Sequence, residues 1–113
     1  MTEFNKYLLS DRDRELYDEG SLFLVDYQEF CKQGLKPGND EIVFALGLGG
    51  ETGEVLEIIK KARRDEEPVD LEHLREEIGD VCWYVANLCT AFGFDLIEIL
   101  KENKDKLKKR YDL

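Results

Sequence analysis

A chain of 113 residues with a formal net charge of −10, 42% hydrophobic and 37% charged residues, has room for one domain with a single modest core and is too apolar to be disordered. The acidic balance disfavours nucleic-acid polymers and anionic membranes as partners, so a polyanion binds only at a local exception, such as a divalent cation bridging acidic side chains to phosphate. Met1 is followed by no apolar signal-type stretch and no run reaches the ~18 apolar residues of a membrane span, so the expectation is a cytoplasmic protein.

Residues 1–22 are polar and charged, with scattered apolar positions at Phe4, Tyr7, Leu8, Leu16 and Tyr17. Ser10 and Asp13 are placed to cap a short helix ending near Gly20, and the segment reads as an N-terminal helical extension to a body formed by residues 23–113. The body reads as four helices. The first runs from about Leu22 to Lys32 and stops at Gly34, before Pro37. Asn39 or Asp40 caps the second, which reaches Arg64 and is broken at 65–68 by Pro68. Asp70 caps the third, closed near Phe92 by Gly93, and Asp95 with Glu98 forms a capping box for the fourth, to Arg110. Four helices with short links predict an all-α bundle.

The second helix carries an apolar stripe of Phe44, Leu48, Val55 and Ile58, and Glu51 falls in the middle of it, with Glu54 one turn on. The third repeats the pattern: Leu74, Val81, Tyr84 and Leu88 surround Glu77, and Asp80 follows three residues later. Carboxylates on a face meant for burial are costly and repel one another unless a hard cation joins them. Spacing i, i+3 puts two carboxylates on one helical edge, and two such helices side by side make an oxygen cradle suited to Mg²⁺. The acids at 41, 57, 66, 67, 72 and 76 fit an ordinary solvated face instead.

Gly47, Gly49, Gly50 and Gly53 lie in the same helical segment, each at about 0.5–1 kcal/mol relative to alanine. Close approach of another helix or of a substrate accounts for them; a local helix break is the alternative. Thr52 at the third glycine position and the lack of a βαβ unit exclude a dinucleotide fingerprint. The three cysteines, 31, 82 and 89, form no C-x-x-C, and Cys82 and Cys89 share an apolar face as reduced core thiols. Lys60, Lys61, Arg63 and Arg64 close the second helix, and six basic residues crowd the fourth, where they complement the helix dipole or face phosphate. Asn103 interrupts the stripe of Leu96, Leu100 and Leu107, with Lys106 and Arg110 on nearby turns. His73 reads as a surface residue, neither base nor ligand.

Glu51-Thr-Gly-Glu54, then Glu77-Ile-Gly-Asp80 with residues 55–76 between the pairs, resembles the E-x-x-E…E-x-x-D signature of MazG-like nucleotide pyrophosphohydrolases. Tyr27-Gln28, the stretch 47–55, Asp80-Val-Cys-Trp-Tyr84 and the stretch 103–111 are similar too. The resemblance implies the all-α NTP pyrophosphatase fold, a homodimer or homotetramer, and cleavage between the α and β phosphates. By position it implies Mg²⁺ or Mn²⁺ on Glu51, Glu54, Glu77 and Asp80, with Glu51 and Glu54 in the catalytic role. It also implies that Lys60 or Lys61, Asn103, Lys106 and Arg110 face the phosphates, and that Tyr84, with Trp83, helps form the nucleoside pocket. Water is the expected nucleophile, oriented or deprotonated by a carboxylate such as Glu54. A dUTP- or dCTP-selective enzyme, a phosphoribosyl-ATP pyrophosphohydrolase and a non-enzymatic helical interaction module with structural acids are the competing readings. A di-iron bundle is disfavoured, since it needs two Glu-x-x-His motifs.

Overall fold

The computed structural model describes the backbone of residues 11–113 and the side chains from residue 19 onward. Four helices account for nearly all of it: α1 Asp11–Lys32, α2 Glu41–Arg64, α3 Leu71–Ala91 and α4 Leu96–Arg110. The fold is all-α, as the helical periodicity requires. The expected break near Gly20 is not there: α1 runs unbroken through Gly20 and Leu22, because an isolated glycine weakens a helix interior without ending it. Ser10, Phe4, Tyr7 and Leu8 lie outside the described residues.

The helix ends follow local chemistry. Asp40, with extended backbone, accepts from the amides of Ile42 and Val43, both at 3.1 Å, while Asn39 instead accepts from the Lys36 amide at 2.9 Å. Asp70 accepts from the His73 amide at 3.1 Å. Gly93 closes α3 at φ 73°, a left-handed conformation natural to glycine. The capping box at α4 does not form: Asp95 makes no side-chain cap bond. Its place is taken by Gln28 of α1, whose Oε1 accepts from the Leu96 amide at 2.8 Å. The same side chain donates from Nε2 to Thr90 Oγ1 at 3.1 Å and to the Phe94 carbonyl at 2.9 Å. Gln28 is buried, so these bonds fix the corner at which the chain turns through 105° from α3 into α4.

Helix α2 packs along α3, α1 lies against both α3 and α4, and α2 and α4 do not meet. The core cluster is Cys31, Ala86, Cys89 and Leu96, with Tyr27, Trp83, Val85 and Ile99 packed on it. Asn87 is buried there and donates to the Cys31 carbonyl at 3.3 Å. Burial pushes the Cys31 and Cys89 thiols up, as suits inert core thiols. Cys82 departs from expectation: it is exposed, on a side of α3 that none of the described helices covers. No single helix among the described residues is long and apolar enough to cross a membrane.

Candidate functional site

The two carboxylate-bearing stripes are the faces by which α2 and α3 meet. On α2, Phe44 and Ile58 are buried, and Leu48, Glu51 and Val55 half-buried; on α3, Leu74, Glu77, Val81, Tyr84 and Leu88 are half-buried. The apolar residues draw the helices together, and the acids at the same register are carried into contact. Glu51, Glu77 and Asp80 each offer an oxygen, and these atoms all lie within 4.8 Å of one another. The Glu77 side chain is only 15% exposed. Its Oε2 is buried with no hydrogen-bond partner among the described residues, and its Oε1 lies 3.3 Å from His73 Nε2. The Glu51 carboxyl is held above its ordinary value by its hydrogen bond to Glu77, then by partial burial, then by repulsion from the same charge.

These features suit a hard cation. Three carboxylates drawn together, one of them with a buried oxygen that has no donor, are the oxygen ligands a divalent ion would use. Glu54 stands apart from the trio: it is exposed at the edge of α2, one turn beyond Glu51.

The remaining expected residues fall into three groups. Tyr84, one turn beyond Asp80, presses its ring on the α2 backbone: a Cβ on Gly47 would stand 2.0 Å from its Cε1. Gly47 is thus the glycine required for close helix approach, whereas Gly49, Gly50 and Gly53 face open space and the helix is unbroken through all four. Trp83 stands edge-on to Tyr84 at 5.0 Å and to Phe44 at 6.3 Å, within the packed interior.

Lys60 and Lys61 diverge. Lys60 points away and pairs with Glu57 at 3.8 Å. Lys61 lines a pocket of about 230 Å³ with Ile58, Ala62, Glu67, Pro68, Asp70 and His73. That pocket adjoins the acidic trio through His73. The contact of His73 with Glu77 was legible only as i, i+4 spacing on one helix, a signal too common to single out.

Asn103, Lys106 and Arg110 are exposed on α4, which does not meet α2, so within one chain the structure does not bring them to the carboxylates. Asn103 was expected on a buried stripe. That stripe is covered unevenly: Leu96 is buried and Leu107 half-buried, but Leu100 is 43% exposed and Asn103 exposed, so nothing covers the stripe at the level of Asn103.

The protein is all-helical, with a carboxylate trio between two helices and beside it a pocket lined by Lys61 and His73 together with Glu67 and Asp70. Comparison with known proteins makes this specific: residues 41–112 match the model of the MazG nucleotide pyrophosphohydrolase domain, and the chain belongs to that family. The match spans α2, α3 and α4 and therefore every acid of the site. The chain is also 38% identical over 71 residues to the Gene 37 protein of Mycobacterium phage L5, an alignment covering 59% of this chain and 62% of that protein. No solved structure matches.

Proposed function

We propose that the protein hydrolyses nucleoside or deoxynucleoside triphosphates to a nucleoside monophosphate and pyrophosphate, with Mg²⁺ or Mn²⁺ held by Glu51, Glu77 and Asp80 and with Glu54 at the rim. The observation that carries the reading is the carboxylate trio within 4.8 Å, one of whose oxygens is buried without a donor. When bound, the cation supplies positive charge for phosphate oxygens. The chain's own residues do the rest. Glu51, Glu77 and Asp80 are held in register by the α2–α3 packing, so their geometry is set before any ligand arrives. His73 orients Glu77. Lys61, in the adjoining pocket, is the basic residue best situated for the β and γ phosphates, and Tyr84 borders the nucleoside side. Glu54, exposed and one turn from Glu51, accepts the proton of the attacking water. The water oxygen bonds to the α phosphorus as the bond to the α–β bridging oxygen breaks, and pyrophosphate leaves with that oxygen. Asn103, Lys106 and Arg110 reach the phosphates only if a second chain brings its α4 to the site, which fits the proposed homodimer or homotetramer. Residues 1–22 stay outside the catalytic module under this reading, and residues 23–113 form it.

The test is release of pyrophosphate and monophosphate over a panel of ribo- and deoxyribonucleotides, with and without chelator, beside calorimetric Mg²⁺ titration of the same protein. Mg²⁺ binding with no turnover of any triphosphate would favour a metal-stabilised interaction module. Undiminished turnover after chelation would refute the metal site.

A further inference from the structure

The two oxygens of Glu77 have different neighbours. Oε2 is buried with no hydrogen-bond partner among the described residues, while Oε1 stands 3.3 Å from His73 Nε2. That contact is attractive only with a hydrogen between the two atoms, and with Glu77 ionised the hydrogen is on Nε2, whether the imidazole is neutral or charged. The pairing follows from local structure. Asp70 caps α3 and accepts from the His73 backbone amide at 3.1 Å, which fixes residue 73 in the first turn. Glu77 follows four residues later, on the same helical edge. The Glu77 side chain is 15% exposed and that of His73 47%. One oxygen of the carboxyl is thus turned into the α2–α3 contact and the other toward the pocket that His73 lines. His73 is not itself one of the gathered donors: the atoms within 4.8 Å of one another belong to Glu51, Glu77 and Asp80. Whatever it does to a cation, it does through Glu77.

A carboxyl gives a cation one oxygen or two, and the choice separates the common divalent ions. Mg²⁺ demands near-octahedral geometry at about 2.0–2.1 Å. The two oxygens of one carboxyl stand too close together to fill two octahedral corners, so Mg²⁺ takes one. Ca²⁺ accepts roughly 6–8 oxygens at about 2.3–2.6 Å in flexible geometry and readily takes both. A donor held on one oxygen of a ligating carboxyl therefore costs Mg²⁺ nothing and denies Ca²⁺ a ligand. Such partners behind the ligands ordinarily tune a metal site as well as orient it.

We infer that His73 is a positioning residue that selects the ion: by holding Oε1 it leaves Glu77 only Oε2 to offer, and so sets the cradle of Glu51, Glu77 and Asp80 for Mg²⁺ against Ca²⁺. The inference rests on the metal reading above and adds to it the residue that discriminates and the way it does so.

Calorimetric titration of the full metal-free chain with Mg²⁺ and, separately, with Ca²⁺ tests it, with no nucleotide present. The quantity read is the ratio of the two dissociation constants, for the parent, His73→Ala and His73→Gln. A parallel titration of Asp80→Asn marks which binding belongs to the cradle. Both ions carry the same charge, so any charge on the imidazole acts on both alike and cancels from the ratio. The cap on α3 uses the backbone amide of residue 73, so neither variant removes it, and circular dichroism checks that the helices are kept. In His73→Ala the ratio should move toward Ca²⁺ by about ten- to a hundredfold, the scale of losing a partner behind a metal ligand. His73→Gln keeps an N–H donor within reach of residue 77 and should hold the parent ratio. An unmoved ratio in His73→Ala, whether the two affinities stay or fall together, overturns the selection by His73 and leaves the metal site standing. An equal shift in both variants overturns the N–H donor as its cause. A parent chain that binds neither ion at the cradle overturns the metal reading and this inference with it.

Discussion

Replacing Gly47 by alanine adds one methyl group where the structure has no room for it. An ideal Cβ there stands 2.0 Å from Tyr84 Cε1, 2.5 Å from Cζ and 2.6 Å from Cδ1. Ordinary carbon contacts are about 3.5–4.0 Å, so the ring or the helix must yield by about 1.5 Å. The ring is hemmed in by Trp83 at 5.0 Å, and α2 cannot move without carrying Glu51 away from Glu77 and Asp80. Overpacking of this kind costs about 1–3 kcal/mol, and so large an overlap belongs at the upper end. Alanine recovers about 1 kcal/mol of helix propensity. The net expectation is about 2 kcal/mol of destabilisation, or about 8 °C in melting temperature for a chain of this length. Gly79→Ala is the control, because its Cβ meets nothing within 4 Å and the same propensity gain should raise the melting temperature by about 2–4 °C. Thermal melts of the two variants side by side, with turnover measured on each, make the assay. Equal stabilisation by both, with catalysis intact, would refute the close helix approach and with it the placement of Tyr84 beside the acids.

Glu51→Gln and Asp80→Asn should abolish turnover and keep or raise the melting temperature in metal-free buffer, since each removes a member of a mutually repelling trio; unfolding of both variants while the metal-free parent stays folded would make the acids structural. The raised Glu51 carboxyl sets a pH dependence: the metal-free folded state holds this proton more tightly than the unfolded chain, so the associated stability is present below the ordinary glutamate value and is lost as pH rises through the raised one. Melting curves across that window should decline for the parent and flatten for Glu77→Gln, and identical slopes would contradict the coupling. Gln28→Ala leaves the Leu96 amide and the Phe94 carbonyl without their partner and should cost about 2–4 kcal/mol in urea unfolding; a loss under 1 kcal/mol would mean that the corner is held by other contacts. Lys61→Ala should lower kcat/KM for triphosphates about ten- to a hundredfold, the worth of one charge-assisted phosphate contact. Lys106→Ala matches it only if a second chain's α4 reaches the site, and unchanged kinetics in both variants would leave phosphate binding to the cation alone.

The parts of the molecule legible in the sequence were those governed by residues near one another in the chain. Glu51 and Glu77 betrayed themselves by occupying the middle of apolar stripes, a conflict between polarity and periodicity that needs no partner to be seen. Asp40, Asp70 and Gly93 were readable because capping is local chemistry. The corner into α4 was not, since its cap comes from Gln28, 68 residues before Leu96, and Asp95 is a plausible cap that goes unused. Asn103 misled for a related reason: periodicity identifies a stripe, but only the path of the chain decides whether anything covers it. Among the four glycines of α2, sequence could say that close approach was at stake, while the direction of approach at each one depended on where Tyr84 came to lie.

The reach of Gln28 also sets an order of assembly. The α2–α3 hairpin is joined by a short link and can form early from contacts close in sequence, carrying the acidic trio with it. Helix α4 is different: only 15 residues long and with its first amide capped from α1, it makes a poor independent helix. It becomes stable once α1 has docked on α3, so α1 and α4 enter the native state together. Amide exchange should therefore divide the molecule in two, with α2 and α3 protected as one unit and α4 opening in concert with the C-terminal turns of α1.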